Sequence, residues 1–593
     1  MPAFTLNVTL TLTGPVLTAA TAPGGYGLDA VFARDPMPPT DANGQPVPGE
    51  HFILPASLVR GRLRQAWEEL NSVFGPSETK PFDIENLLGP DPVRGQQGSN
   101  PSDTNEPLRG RLRFEDFRAC PVTTGIRTRH RIAIDTNTGA ADDQMLQLME
   151  APWGSGATVQ FTGAIRCVAK DENAATELAR QVEVGLRWVP QFGGERGLGF
   201  GANAGVSVSV QPSTGQTNPP SAQEADNTTA WALVITPLAP FLLARHRTIE
   251  NVFEGRDIIP GAAIKGALAE LWREEAGAPP GTPVSQFGRT LHAELAEHFD
   301  ALVFSHAFPA PKGRRTRPVV PPLSLARGGG LLCDLASVGG PGLLKGEAPT
   351  FDIDWKSRAD VDRDFGWPDL PLPREPRLGT AIDREKNRAR DEALFGKEAV
   401  IPTGYEWLAR VDFSAVTDSA TRQKVAEQLA ALLAAGLDHL GKTRARAQVE
   451  VLPADRLTPH VAQSVAPIAG QFIVTLQTPA LLGWPEPLPA FPSVDFANWK
   501  TAYNDVWSEL SGGALTCERF FARQTLAGGE YLWRRFQKKH GRPYNPWPLT
   551  EPGSTFVLQV ANGRGADAQT FLLRIATRGL PIPAWARTAF GLT

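Results

Sequence analysis

Two thirteen-residue stretches, opening at Pro55 and at Pro260, share one spacing: Pro-x-x-x-(Val/Ile)-(Arg/Lys)-Gly-x-Leu-x-x-x-Trp. The cation and glycine are Arg60-Gly61 in the first, with Arg62 and Arg64 close behind, and Lys265-Gly266 in the second. Leu63, Trp67, Leu70 and Phe74 recur at helical spacing, so the first stretch reads as a helix with a proline at its opening. Glycine inside a helix costs about 1 kcal/mol relative to alanine. Its recurrence points either to tight packing of a neighbouring helix or to a ligand that comes close to the backbone. A phosphate suits the second reading, because N–H groups near a helix start and an adjacent cation hold it. Two further turns combine glycine with cations: Gly193-Gly194-Glu195-Arg196-Gly197, and Gly441-Lys442-Thr443-Arg444-Ala445-Arg446. Such turns bring backbone N–H groups and guanidinium groups to a phosphodiester. One carboxylate stands out beside them. Asp29 lies among glycines in a long loop over 14–53, where a carboxylate can bind magnesium or orient an attacking hydroxyl. The alternative is an aspartate favoured by its turn. Asp35 is a second acid in the same loop.

The elements that must position these groups occur in one order twice. An alternating strand at 4–13 leads through the loop to the glycine-bearing helix. A basic strand at Leu108–Phe114 follows, then Arg127–Asp135 with Arg129 and Arg131, a strand at 157–168, an amphipathic helix at 173–189, the glycine turn and a strand at 204–210. That is a ferredoxin-like βαββαβ order with insertions. After a linker by composition at 211–229, a strand at Trp231–Leu238 restarts it. At a constant offset of 248 residues Arg129 matches Arg377, Ala133-Ile134-Asp135 matches Ala381-Ile382-Asp383, Gly193 matches Gly441 and Arg196 matches Arg444. The chain therefore reads as a duplicated domain. The expected class is α+β: tandem ferredoxin-like, RNA-recognition-like domains with long loop insertions. Their bounds are 1–210, a linker at 211–230, and 231–455 with an insertion at about 276–376. Residues 456–593 read as an α+β region, either a third, smaller unit or the closing part of the second. Its strands are expected at Gln471–Leu476, Thr555–Val560 and Thr570–Ile575 around a helix at 493–511.

At 593 residues, with 41% hydrophobic and 21% charged residues, this is an ordinary globular composition for two to four domains. The four cysteines lie far apart without a CxxC pair, which argues against zinc and for a reducing compartment, the cytoplasm. No run of eighteen apolar residues exists, so no membrane span is expected, and the start MPAFTLNVTLTLTG lacks the pattern of a signal peptide. A net charge of −4 means that nucleic acid would be met by local basic patches. The clusters Lys312–Arg317 and Arg534–Lys539 are candidates, the second with interleaved Phe and Trp that can stack on bases. No GxxxxGK(S/T), HExxH or nucleophile elbow is present, and the glycine turn follows a helix, the reverse of a dinucleotide fingerprint.

The loop Gly-x-Asp-x-x-x-x-Arg-Asp at 27–35, followed by Leu-Pro-Ala-Ser-x-Val-Arg-Gly-x-Leu-Arg at 54–64, resembles the RAMP superfamily of CRISPR-associated proteins, in particular backbone subunits of type III effector complexes. Leu108–Phe114, the Ala-Ile-Asp block and the glycine turn are similar too. The resemblance implies a core that grips guide RNA (crRNA) and pairs it with target RNA. Its RNA contacts would include Arg60, Gly61, Arg62, Arg64, Arg129, Arg131, Gly193, Gly194, Arg196, Gly197, Lys265, Gly266, Arg377, Lys442, Arg444 and Arg446. It implies that Asp29, or less fittingly Asp35, supports magnesium-dependent cutting of the target. The second module departs from the pattern, with only Glu250, Glu254 and Asp257 in its short loop, and is expected to bind without cutting. Arg523-Gln524 and Gly528-Gly529 loosely resemble a III-D five-prime-end subunit. Partners implied are a polymerase-like large subunit, a small subunit and a five-prime-end subunit. Two other functions stay open: a non-catalytic guide-binding scaffold or cap, and a guide-processing endoribonuclease using His51 or His130.

Overall fold

The computed structural model describes residues 1–18, 27–41, 47–74, 79–89, 110–120, 128–213, 229–249, 252–337, 344, 346–356, 358–383, 388–459, 466–468, 470–483, 496–527 and 547–583. Most of the expected linker, Glu250, Gly528-Gly529 and the Arg534–Lys539 cluster lie outside the described residues.

The first module is built from β1 (Ala3–Thr13), α1 (Ala56–Ser72), β2 (Phe117–Cys120), β3 (Thr128–Ile134), β4 (Ala141–Glu150), β5 (Thr158–Val168), α2 (Glu172–Trp188) and β6 (Ala202–Pro212). β1 alternates residue by residue, burying Phe4, Leu6, Val8, Leu10 and Leu12, as period-two apolar patterning requires of a half-buried strand. It sits in the middle of an antiparallel sheet, between β5 and β6, with β2 beyond β5. Two helices cover one face. Asp171 caps α2 by accepting the Ala174 N–H at 2.8 Å. Trp67 is fully buried against Gly185 of α2, where any Cβ would collide with its ring, and it donates from Nε1 to the Gln181 carbonyl at 3.1 Å. Leu63 joins it in the core. Phe74, expected on the same apolar face, lies past the end of α1 and is exposed.

The second module repeats this with β7 (Ala230–Pro237), α3 (Gly261–Glu275), β8 (Phe308–Pro311), β9 (Arg374–Asp383), β10 (Arg388–Val400), β11 (Tyr405–Asp412), α4 (Ser419–Ala434), β12 (Leu437–Leu440) and β13 (Ala445–Pro453). β7 is central, between β11 and β13, and β8 pairs with β11. The expected insertion at 276–376 is thus not one block: it contains β8, a strand of the module's own sheet. Both modules are α+β units in tandem.

Residues beyond β13 form another sheet: β14 (Gln471–Thr475), α5 (Phe496–Leu510), β15 (Leu515–Phe521), β16 (Gln524–Ala527), β17 (Trp547–Thr550), β18 (Thr555–Val560) and α6 (Gly565–Arg578), with strand order β14-β18-β15. Thr570–Ile575, expected as a strand, lies inside α6. Its apolar run carries Phe571 and Leu572, which with Ala568 bury at helical spacing.

The first two modules meet through a buried ion cluster. Asp438 on β12 receives Arg113 Nη1 at 2.9 Å and also Arg166, and Glu274 at the end of α3 receives Arg113 as well. Burial pulls the Arg113 guanidinium down to about 10 even with Asp438 beside it. The Leu108–Phe114 segment is therefore no exposed basic strand. Among its described residues Arg113 is buried in this cluster, and Arg111 donates to the Val168 carbonyl at 2.7 Å.

Candidate nucleic-acid interface

The antiparallel registers decide which loops gather. Thr13 pairs with Thr158 on one side and with Ala202 on the other, so β1 ends where β5 and β6 begin. The loop before α1, the β3–β4 ribbon and the turn after α2 consequently leave from one end of the sheet. In the second module Pro237 and Ala447 are opposite each other, and Tyr405 opens β11 at the same end. The candidate residues of each module converge there because of topology, across long distances in sequence.

Gly61 and Gly266 are both exposed, and nothing lies within 4 Å of where a Cβ would stand on either. Packing against a neighbouring helix, the first explanation for these glycines, is thereby ruled out at both positions. Beside Gly61, Arg62 donates to Gln65 at 2.6 Å, while its Nε makes no hydrogen bond among the described residues. Burial and the nearby Arg196 both lower the Arg62 pKa. Arg196 is exposed, and its guanidinium has no hydrogen bond or ion pair among the described residues. Arg62 and Arg196 lie close together, with Glu69 the acid near Arg62, beside the open backbone of Gly61 and Gly197, an arrangement that can hold an anion. The cations on the other side of α1 are committed locally: Arg60 donates to the Leu88 carbonyl and Arg64 to the Gly89 carbonyl.

Gly193 and Gly441 are required for a different reason. Each has positive φ (96° and 67°), and a Cβ would overlap a carbonyl, that of Leu17 in one and of Leu242 in the other. The next N–H donates to the same carbonyl, Gly194 to Leu17 and Lys442 to Leu242, each at 2.8 Å. The ribbon leans on this turn, with Arg129 over the Phe200 ring at 5.7 Å and Arg131 paired to Glu195 at 3.0 Å.

Asp29 is exposed at the ribbon's edge. Its N–H donates to the Leu148 carbonyl at 2.8 Å, and its Oδ2 accepts the Leu148 N–H at 2.6 Å. Glu150, buried on β4, fixes the loop downstream by accepting the Phe32 N–H at 2.7 Å and the Arg34 guanidinium. The Oδ1 of Asp29 has no partner among the described residues. An exposed carboxylate with one oxygen available suits magnesium, which takes one or two carboxylates and keeps its other positions for phosphate and water. Asp35 does not fit: one oxygen binds Arg118 and the other accepts the Met37 N–H at 2.9 Å.

In the second module Lys265 is committed, like Arg60, to carbonyls (Asp300 at 3.2 Å, Leu302 at 3.1 Å), and burial lowers its pKa. Gly266, Gly441, Lys442, Leu243, Ala263 and Glu270 line a cleft of about 580 Å³. Lys442 stands over the Phe253 ring at 3.7 Å. Glu254 and Asp257 are both held by Arg374, at 3.3 Å each. Glu270, Glu274 and His439 come within 4.8 Å of one another, but Arg273 pairs with Glu270 and Arg113 with Glu274, so positive charge is already supplied there.

Three expected RNA contacts are turned to other partners. Arg444 donates to the Gly110 carbonyl of the first module at 3.0 Å, and Arg446 stands 3.8 Å from Asp438. Arg377 donates to Asp116 of the first module at 3.2 Å. Charge in a sequence does not reveal its partner: Arg377 and Arg444 meet a carboxylate and a carbonyl of the first module, and Arg446 faces a carboxylate on the neighbouring strand. Asp116 itself was not anticipated. It accepts the Ala56 N–H at 2.7 Å and so caps α1, and no spacing in the sequence marks it. Of the Lys312–Arg317 cluster, Arg315 pairs with Glu406 and Glu450, and the half-buried Arg317 lies over the Phe308 ring at 4.2 Å.

Alanine at position 61 or 266 adds a methyl to open space. We expect it to stabilise the fold by about 0.5–1 kcal/mol and to weaken binding of single-stranded RNA several-fold. Thermal melts and a binding titration check both halves. A variant that is more stable and binds equally well would remove close approach as the reason for these glycines.

The RAMP superfamily profile matches residues 9–204 and 245–446. No curated protein matches the chain. Among matching solved structures is one titled as the type III-B Cmr-beta complex bound to cognate target RNA and AMPPnP. A chain of it is 12% identical, covering 61% of this chain and 92% of its own length with a TM-score of 0.30.

Proposed function

The chain belongs to the RAMP superfamily through two successive modules, and from that premise we propose that it is a guide-RNA-binding backbone subunit of a type III CRISPR effector, cutting target RNA at its first module. The observation that carries the reading is the same pairing at equivalent ends of two sheets. Each has an exposed helix glycine beside a cation-bearing turn, and among the described residues an exposed carboxylate with an available oxygen, Asp29, accompanies the first. Arg62 and Arg196 would hold the phosphate backbone, and Gly61 would let it approach. The ribbons, with Ile132, Ile134 and Leu146 exposed on one and Leu378, Leu394 and Phe395 on the other, offer apolar surface to bases. Magnesium at Asp29 would neutralise charge on the scissile phosphate. The polymerase-like large subunit, small subunit and five-prime-end subunit remain the proposed partners.

A scaffold without cutting is favoured by one observation, that Asp29 already serves the ribbon edge by accepting the Leu148 N–H. Of the two bases of the guide-processing reading, His51 has its Nε2 against the Val47 carbonyl at 2.7 Å, which leaves Nδ1 as its basic nitrogen.

Salt dependence tests the grip. The slope of log K against log salt is about −0.7 per phosphate contact for a single strand. Arg62→Ala and Arg196→Ala should each flatten it by about that amount. A slope that neither substitution changes would disprove the assignment.

A further inference from the structure

The family profile ends at residue 446, yet the described chain beyond it repeats the first three strands and both helices of the unit once more. The strand order β14-β18-β15, with α5 after the first strand and α6 after the third, is the first–third–second order of the other two modules (β1-β5-β2 and β7-β11-β8). Each unit carries an antiparallel strand pair between its second and third strands: β3–β4, β9–β10, where the pair is widened to a four-stranded sheet, and here β16–β17. The first helices agree position by position. Arg60, Lys265 and Lys500 are each the fifth residue of their helix and stand seven residues before Trp67, Trp272 and Trp507, all three fully buried. Between them Leu63, Leu268 and Tyr503 occupy one core position, each with no exposed surface. The register also fixes which end of the sheet Lys500 belongs to. Thr475, Phe521 and Thr555 lie together at one end, from which the ribbon and the connection into α5 depart.

From this placement we propose that residues 471–578 form a third RNA-gripping unit, with Lys500 as its phosphate contact; the proposal rests on the RNA-binding reading above. Lys500 is exposed, and its ammonium makes no hydrogen bond or ion pair among the described residues, whereas Arg60 and Lys265 are spent on carbonyls. Thr501 stands where the other helices have glycine. A side chain there holds a strand away from the backbone, so the contact falls to the long, flexible lysine, a sequence-independent point charge. Leu526, exposed on the ribbon, parallels the exposed apolar residues of the other two ribbons. The unit is held to the second module by the Leu323 N–H donating to the Gly553 carbonyl at 2.7 Å and by Arg578 beside Asp412 at 3.4 Å. A strand leaving the second module therefore meets a unit that is fixed to it.

The test uses the full chain and a long, labelled polyuridine, titrated from about 50 to about 200 mM salt. Lys500→Ala should flatten the salt slope by about 0.7, which makes the affinity lost across that range about 2.5-fold smaller. Lys500→Arg should restore the slope. Lys170→Ala, at the opposite end of the first sheet, should leave it unchanged. If Arg196→Ala flattens the slope and Lys500→Ala does not, the third unit does not touch RNA and the proposal is overturned while the RNA reading stands. If neither does, or the wild type shows no salt-dependent binding, the RNA reading itself fails.

Discussion

Asp29→Asn should abolish magnesium-dependent cutting of a guide-paired target RNA, a loss on the order of 10³-fold or several kcal/mol of transition-state stabilisation, while RNA binding stays within about twofold. Asparagine is the informative substitution because its side-chain oxygen can still accept the Leu148 N–H that Asp29 accepts at 2.6 Å. The ribbon edge then keeps its support, and only the charge is lost. Asp29→Ala removes both and serves as the second variant. Asp35→Ala should behave in the opposite way. It leaves Arg118 without its carboxylate and the Met37 N–H without its acceptor, so the fold should lose about 1–3 kcal/mol with cutting retained in the fraction that is folded. The assay is target cleavage by the assembled complex, with denaturation run in parallel. Cutting at the wild-type rate by Asp29→Asn would eliminate the catalytic assignment and leave the scaffold.

The second large effect concerns the junction of the modules. Asp438→Ala leaves the buried Arg113 and Arg166 facing each other without the carboxylate that both contact. Removing one partner of a buried ion pair costs about 3–5 kcal/mol. Denaturation followed by tryptophan fluorescence should show the wild-type transition moving to lower denaturant and dividing in two as the modules uncouple. Replacing Arg113 and Arg166 by Met and Asp438 by Leu together should recover part of the loss, because apolar groups of similar volume often substitute for a whole buried ion triad, and Glu274 keeps Arg273 at 3.7 Å. A single-site loss under about 1 kcal/mol would place the coupling elsewhere.

The duplication was legible because its signals are short-range and repeated. The alternation of β1, the Pro…Gly…Trp helix and the glycine turns are each written within a dozen residues, and each is imposed by a local demand. Gly193 and Gly441 illustrate this: a carbonyl pressed against the α-carbon admits no side chain in either copy. The third unit was legible only as an α+β region with two readings, a smaller unit or the end of the second, since it keeps Lys500, Tyr503 and Trp507 but has neither the proline nor the glycine that made the other copies visible. The site was half legible. Gly61 and Gly266 lie open on their helices and Arg62 stands near Arg196, whereas the first module supplies Arg377 and Arg444 with partners that no local spacing reveals. Thr570–Ile575 failed for a third reason, that a short apolar run has no period of its own until Ala568 is counted with it.

The ion cluster around Asp438 also governs pitch. Modules joined only by residues 214–228 would let the separation between Gly61 and Gly266 drift with the length of that connection. Docked through buried charges, they admit a single phase, because any other seating strands an arginine out of water without an acid. A strand laid across both meets the two glycines at an interval set by the docked surfaces. Lengthening the connection would therefore leave the stride along the RNA unchanged.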